Sequence, residues 1–203
     1  MLTIDEGKHA VVFARTVIEH YVKHTASPTT PSLPRVFDEN HGVFVTLHTH
    51  PYHDLRGCIG IPLPVMTLQE AIIESAQSAT RDPRFPPLHE NELDSIIIEV
   101  TILTKPTLIT VKQPREYLTQ IEIGRDGLIV EQGIYKGLLL PQVPIEQGWG
   151  KEEFLSHTCM KAGVLPDAWY EKNTKIFKFS GQIFTETIPR KDIKEKQLDG
   201  SHN

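Results

Sequence analysis

The segment that decides the fold is VFVTLHTHPYHDLRGCIGI, residues 43–61, in which two alternating runs flank a polar turn. In the first run, every second position is apolar, at Val43, Val45 and Leu47. A second run with the same alternation extends over 55–61. Alternate residues of a strand point to opposite faces, so each run predicts a strand with one apolar face. The turn between them predicts a β-hairpin.

Two capping boxes predict where the first two helices begin. Thr3 with Glu6, and Thr67 with Glu70, have the spacing in which a hydroxyl and a carboxylate satisfy free backbone donors. Apolar residues recur at helical spacing after both boxes. The first helix is expected to end before the prolines of residues 28–34, which predict an extended connection.

The remaining patterns predict further strands and one more helix. Residues 96–103 are apolar on both faces, which is typical of a strand covered on each side. Asp126-Gly127 suits a type I′ turn and is expected to join strands over 121–123 and 128–130. The other expected elements are a strand over 137–140, a helix over 149–162 capped by Gly163, and a strand over 176–188.

These elements predict an α+β fold, in which a mixed or antiparallel sheet is flanked by helices and accompanied by a smaller β-rich subdomain. One domain is expected over residues 1–188. Residues 189–203 are mostly charged or small, so a disordered tail is expected there.

Composition argues against several classes of function. The chain has 203 residues, with 21 Lys and Arg against 26 Asp and Glu, and its formal net charge is −5. Binders of nucleic acids and of membrane surfaces carry an excess of basic residues, so neither partner is expected. Two cysteines are too few for a disulfide scaffold or a zinc ribbon. Charges interrupt the apolar stripe near the amino terminus, unlike a signal peptide, and a cytoplasmic protein with reduced thiols is expected.

The strongest candidate for chemistry is the thiol of Cys58. Arg56 and Cys58 project to the same face of the predicted strand, about 7 Å apart. A nearby guanidinium favours the thiolate, so Arg56 is a candidate activator that lowers the pKa of the thiol. Gly60 falls on the same face and is expected to leave room beside the sulfur. His48 is a candidate base by register, because histidine commonly activates cysteine.

A purely structural interpretation of these residues stays open. Free cysteine is among the most buried residue types, and strand glycines often mark close packing. Cys159 lies at core spacing on its helix and is expected to be inert. The turn with His48, His50 and His53 offers residues that zinc accepts, but a solvated turn is the simpler interpretation and no metal is assigned.

A second polar set consists of Arg81, Asp82, Arg84 and Glu99. Glu99 lies in the middle of an apolar strand, where an unpaired carboxylate is costly. It is therefore expected to meet a cation, either Arg56 or an arginine of the loop at 81–84. Arginine binds carboxylates and phosphates bidentately, so the set is either an anion pocket or a salt bridge that ties the loop to the sheet.

Five blocks of sequence carry a resemblance to a known family: LRGCIG at 55–60, RDPRF at 81–85, IEV at 98–100, IGRDGL at 123–128 and GLLLPQ at 137–142. In this order they resemble the AMMECR family, named after a human chromosomal region linked to Alport syndrome and elliptocytosis. The resemblance covers residues 5–188 and points to an archaeal or bacterial single-domain member. The histidine-rich turn does not belong to the family pattern, so the resemblance supports no metal or base role for it.

The resemblance also suggests partners. Prokaryotic members resemble AmmeMemoRadiSam system protein A, whose gene grouping includes a Memo-like protein and a radical-SAM enzyme. We therefore expect an accessory or binding component of a conserved modification pathway, with a cleft around the LRGCIG strand and no cofactor. The alternative is an enzyme that uses Cys58 as a reactive thiol activated by Arg56. The expected binding residues, which can receive a small anionic ligand, are Arg56, Gly57, Gly60, Arg81, Arg84 and Glu99.

Overall fold

The computed structural model describes residues 1–25 and 32–196, which form two compact units. Within the described residues, the larger unit contains 1–103 and 182–196, and the smaller unit contains 104–181. Antiparallel strand pairing together with α-helices confirms the α+β fold class. Pro28 and Pro31 of the expected extended connection lie outside the described residues.

The helices and strands are in chain order α1 (Ile4–Val22), β1 (Gly42–Thr49), β2 (Leu55–Ile61), α2 (Leu68–Ala79), β3 (Ile96–Leu103), β4 (Thr107–Leu108), α3 (Tyr117–Gln120), β5 (Asp126–Gln132), β6 (Tyr135–Leu139), α4 (Gln142–Gln147), α5 (Lys151–Ala162), β7 (Thr174–Ile188) and β8 (Lys191–Lys196). Among the described helices, none combines the length and the apolar character that a membrane span requires.

The sheet of the larger unit contains the predicted hairpin. Its strand order is β2-β1-β3-β7, with β8 paired to β7, and β1 is antiparallel to both of its neighbours. Both capping boxes are present, at Thr3 before α1 and at Thr67 before α2, so the predicted starts of the helices are confirmed. All eight residues of β3 are buried, which confirms the prediction of a strand covered on each side.

The core of the larger unit lies between the sheet and the helices α1 and α2. Val45 of β1 lies beside Ile59 and Val100 in the register, and Leu47 lies beside Ile98. These side chains belong to one apolar cluster with the inward faces of both helices. Because side chains alternate along a strand, the residue between Val45 and Leu47, Thr46, lies on the opposite face of the sheet.

A buried ion pair joins α1 to β7 within the larger unit. Arg15 donates hydrogen bonds to both carboxylate oxygens of Glu186, at 2.6 and 2.5 Å, and to the backbone oxygens of Leu93 and Ile96. Glu186 also accepts a hydrogen bond from the backbone nitrogen of Ile98 at 3.0 Å. The charge of Glu186 is therefore neutralised by a partner that is itself buried.

The smaller unit places α5 against a sheet of β6, β5 and the first part of β7, with β4 paired to β7. Gly163 ends α5 in the left-handed conformation, with φ of +82°, as its position predicted. The strands predicted over 137–140 and 176–188 correspond to β6 and β7. Cys159 is buried in the apolar core of this unit.

The prediction of a type I′ turn at Asp126-Gly127, in the smaller unit, is wrong. Asp126 and Gly127 begin β5, and the turn of the hairpin lies at Gly133, whose φ is +60°. The Asp126 carboxylate accepts two hydrogen bonds from Arg125, both at 2.8 Å. The ring of Phe179 fills the space that a side chain at Gly127 would need. Asp126 is therefore held by Arg125, and Gly127 packs against the ring of Phe179. A prediction from turn propensity takes neither contact into account.

The tail expected over residues 189–203 is corrected in part, because Lys191–Lys196 form β8. Ile193 packs against the core of the larger unit, and Glu195 accepts a hydrogen bond from Gln182 at 3.1 Å. These contacts order a segment whose composition is typical of a tail. Residues 197–203 lie outside the described residues.

Candidate functional site

A row of polar side chains crosses three strands of the larger unit, on the sheet face opposite to its apolar core. Thr46 of β1 lies beside Cys58 of β2 and beside Glu99 of β3 in the antiparallel register. Thr46 Oγ1 donates a hydrogen bond to Cys58 Sγ at 3.3 Å. Thr46 and Glu99 are buried, whereas Cys58 is half-buried.

The pKa of the Cys58 thiol moves in the direction opposite to the expected one. Burial raises this pKa, and the hydrogen bond from Thr46 and the charge of Arg84 offset only part of the effect. The guanidinium of Arg56 points to other partners: it donates to both oxygens of Glu92, at 2.8 and 3.1 Å, and to two backbone carbonyls. Arg56 thus serves as an anchor for the 86–92 segment, and the prediction that it lowers the pKa of the thiol is corrected.

The side chain of Arg84 is held in one orientation by the buried carboxylate of Asp82. Asp82 accepts hydrogen bonds from the backbone nitrogen of Cys58 (2.8 Å) and from the backbone nitrogen, Nε and Nη2 of Arg84 (3.0, 3.0 and 2.6 Å). The hydrogen bonds from Arg84 hold the pKa of Asp82 well below its usual range, and Asp82 raises the pKa of Arg84. Both groups are therefore ionised at neutral pH.

Arg84 combines this fixed orientation with access to solvent. Its Nη2 also donates to the carbonyl oxygen of Cys58 at 3.2 Å, which ties the guanidinium to β2. The side chain of Arg84 is nevertheless 55% exposed, whereas that of Asp82 is 1% exposed. Nη1 of Arg84 makes no hydrogen bond with any residue in 1–25 or 32–196.

The two glycines of the LRGCIG strand allow close packing. A side-chain carbon at Gly57 would overlap the backbone oxygen of Ala79, at the end of α2. A side-chain carbon at Gly60 would overlap both the backbone oxygen of Val43 and the ring of Phe44. The expectation that Gly60 leaves room beside the sulfur is therefore wrong, because the Phe44 ring occupies that room.

Glu99 meets a lysine and a histidine instead of an arginine. Its Oε2 lies 3.4 Å from Nζ of Lys196, and its Oε1 lies 4.0 Å from Nε2 of His48. Burial acts to raise the pKa of Glu99, but the neighbouring side chains of His48 and Lys196 outweigh it, so the pKa is lowered. The expected partners Arg56 and Arg84 are bound by other carboxylates.

A cavity of about 430 Å³ lies beside Glu99 in the larger unit, and we call it the Glu99 cavity. The rings of His48 and His53, whose centroids are 6.1 Å apart, belong to its lining. Nδ1 of His48 is buried and has no hydrogen-bond partner among the residues that the structure describes. The lining residues are His48, His53, Glu99, Thr185, Glu186, Thr187, Lys194 and Lys196.

The other residues predicted from sequence lie apart from this group. His50 does not line the Glu99 cavity. The guanidinium of Arg81 lies 5.0 Å from the ring centroid of Tyr21, beside a different cavity on α2. Within residues 1–25 and 32–196, no group of three or more His, Cys, Asp or Glu side chains is placed to hold a metal ion.

The polar set predicted from sequence is therefore divided among three local groups. Arg56 pairs with Glu92, Arg84 pairs with Asp82, and Glu99 pairs with Lys196. The position of Thr46 could have been predicted from the sequence. In the predicted hairpin, the alternation of side chains places Thr46 on the same sheet face as Cys58.

Lys194 and Lys196 have no comparable signal in the sequence. Their segment is charged, and its only apolar residue is Ile193. Their role depends on β8 pairing with β7, a contact that joins residues distant from the hairpin in sequence.

Relatives of known sequence match the chain over nearly its whole length. The AMMECR1 family model matches residues 11–184. Protein MJ0810 of Methanocaldococcus jannaschii is 55% identical over 199 residues, which cover 98% of each chain. A protein of Methanocella arvoryzae is 54% identical over 201 residues, covering 98% of this chain and 100% of the relative. The crystal structure of PH0010 from Pyrococcus horikoshii is similar with a TM-score of 0.83 at 47% identity, covering 97% of this chain and 98% of that one.

Proposed function

Because the chain belongs to the AMMECR1 family, we propose that it is an accessory or binding component of a conserved modification pathway. Its docking surface for a partner protein is the surface around Arg84 and β2, where we also place the cleft expected from sequence. The observation that carries the proposal is an exposed guanidinium fixed by a buried carboxylate.

Arg84 has the properties of an anchor for an acidic side chain of a partner. A side chain that is already ordered loses less conformational entropy when it binds. Arginine is enriched among the residues that dominate binding energy at protein interfaces, and its planar guanidinium suits a carboxylate. Nη1 carries two N–H groups that remain available for such a contact.

The neighbouring residues support the position of this surface. Arg56 holds the 86–92 segment through Glu92 and two carbonyls, and Gly57 lets β2 approach the end of α2. Gly60 leaves the space that the ring of Phe44 occupies. In this proposal Arg56, Gly57 and Gly60 are positioning residues, and Arg84 contacts the partner.

The alternative function, an enzyme that uses Cys58 as its nucleophile, has less support. The thiolate is the reactive form of cysteine, and a raised pKa leaves the thiol protonated at neutral pH. The hydrogen-bond partner of Cys58 Sγ is the hydroxyl of Thr46, which is not a base.

The family resemblance makes a Memo-like protein and a radical-SAM enzyme the partners to test first, in a cytoplasmic pathway. Each purified partner is titrated with the wild-type protein and with the Arg84→Gln and Arg81→Gln variants by isothermal calorimetry. Arg81→Gln is the matched control, because it removes the same charge from the same exposed loop without touching Asp82. Cys58→Ser separates binding from thiol chemistry.

We expect Arg84→Gln to weaken binding of at least one partner by about 30-fold, the effect of losing a central interface arginine. Arg81→Gln and Cys58→Ser are expected to bind like the wild type. Equal affinities for Arg84→Gln and wild type, or binding by neither partner, would refute the proposal. A Cys58→Ser variant that binds normally but stops the pathway reaction would favour the enzyme instead.

A further inference from the structure

We propose that the Glu99 cavity binds a small hydroxylated organic anion, whose carboxylate or phosphate is held by Lys194 and Lys196 and whose hydroxyl donates to Glu99. This site is separate from the docking surface at Arg84, since Arg84 does not line the cavity. Its volume of about 430 Å³ falls within the range of small-molecule sites, about 300–1,000 Å³.

The charges that line the cavity favour an anion. Glu186 is neutralised by Arg15, so its charge does not act as a free anion in the cavity. Lys196 is matched by Glu99, and Lys194 has no carboxylate within 4.0 Å among the described residues. One ammonium charge in the lining is therefore left without a carboxylate partner.

The contact between Glu99 and Lys196 is loose enough to admit a ligand. The Nζ–Oε2 distance of 3.4 Å is longer than about 2.7–2.9 Å, the range of a tight ammonium–carboxylate hydrogen bond. The Lys196 side chain is 52% exposed, and lysine is flexible enough to turn to an anion in the cavity.

The space between Glu99 and His48 suits a hydroxyl group. Their nearest atoms, Oε1 and Nε2, are 4.0 Å apart, which is too long for a direct hydrogen bond and leaves a gap that a third polar atom can bridge. A ligand hydroxyl donates to the Glu99 carboxylate and accepts from an imidazole N–H. Nε2 of His48, at 4.0 Å from Oε1, makes no direct hydrogen bond with Glu99, so this nitrogen can donate to a ligand hydroxyl placed between the two side chains.

The proposal is tested with glycolate, acetate and inorganic phosphate, titrated into the full-length protein at constant ionic strength and followed by NMR. We expect saturable binding of glycolate or phosphate in the millimolar range, a usual affinity for fragments of this size. The imidazole signals of His48 and His53 should shift. Glycolate should bind more tightly than acetate, because only glycolate carries the hydroxyl. The stronger of acetate and phosphate, neither of which has an alcohol hydroxyl, identifies the anionic group.

Variants separate this site from a general charge effect. Lys194→Gln should weaken binding about tenfold or more, whereas Lys191→Gln, which removes the same charge from the same strand outside the cavity, should bind like the wild type. Glu99→Gln should reduce the preference for glycolate over acetate, because a neutral amide oxygen is a weaker acceptor than a carboxylate. Arg84→Gln should leave these affinities unchanged, so a failure here is distinguishable from a failure of the docking surface. Absence of saturable binding, or equal losses in Lys194→Gln and Lys191→Gln, would overturn the proposal.

Discussion

Asp82→Asn is expected to remove the main support of Arg84 while it preserves the shape of the side chain. The two Asp82 oxygens each accept two hydrogen bonds: Oδ1 from the backbone nitrogen and Nε of Arg84, and Oδ2 from the backbone nitrogen of Cys58 and Nη2 of Arg84. An amide has only one oxygen. In either orientation of the amide, one pair of donors faces an NH₂ group, and each pair includes a backbone N–H.

The cost follows from this unsatisfied backbone donor. Leaving a buried donor without an acceptor costs about 1–3 kcal/mol. The lost ion pair adds little, because the Arg84 side chain is 55% exposed and water replaces the carboxylate. We expect the free energy of unfolding to fall by about 2 kcal/mol. For a chain of this size, that loss lowers Tm by about 4–8 °C.

The assay is thermal and urea unfolding of wild type and variant at two pH values. Because the folded-state pKa of Asp82 is lowered, the stability that it contributes is present above the unfolded pKa of about 3.9 and is lost as the pH falls towards the folded value. The difference between wild type and Asp82→Asn is therefore expected to be smaller at about pH 3 than at about pH 7.

Asp54→Asn is the matched control for this experiment, because Asp54 is exposed and its carboxylate makes no hydrogen bond with a described residue. This variant should unfold like the wild type. If Asp82→Asn were as stable as Asp54→Asn at neutral pH, the role assigned to the Asp82 carboxylate would be refuted.

Two further predictions concern the LRGCIG strand. Gly57→Ala should lower the free energy of unfolding by about 1–3 kcal/mol, because the new methyl group overlaps the backbone oxygen of Ala79, which cannot move without shifting α2; an unchanged urea midpoint would contradict this. Alkylation of Cys58 at about pH 8, followed by peptide mass spectrometry, should be slower in the native protein than in the denatured chain, because burial raises the pKa of the thiol. Cys159, fully buried and with its pKa raised by burial to about 11, should react more slowly still. Native labelling of Cys58 that outpaces the denatured chain would show an activated thiol.

Sequence patterns predict the helices and strands that depend on interactions between residues close together in the chain. The capping boxes at Thr3 and Thr67 involve residues three positions apart, and both helices begin where the boxes predict. The hairpin of β1 and β2 is predicted by apolar residues at every second position. The buried strand β3 is predicted by the apolar residues on both sides of Glu99. The predicted turn at Asp126-Gly127 fails because that pair is held by tertiary contacts, including the ring of Phe179.

The identities of the site partners depend on contacts between distant segments. Glu99 is recognisable in the sequence as a buried carboxylate that needs a cation, but its lysine partner lies 97 positions away, in a strand that resembles a tail. The spacing of Arg56 and Cys58 predicts a shared strand face, but the pairing of β1 with β2 skips Arg56, and its guanidinium is turned to Glu92, which is 36 positions away.

The amino-acid sequence by itself determined the α+β class, the hairpin that carries Cys58, and the need of Glu99 for a positive partner, because strand alternation, helix capping and the cost of a buried charge act over short distances. Only the tertiary structure decided which cation each carboxylate meets, that Phe44 covers Gly60, and that the Cys58 thiol is made less acidic. The physical reason is that hydrogen-bond geometry and desolvation depend on side chains brought together from the whole length of the chain, and no local pattern records their distances.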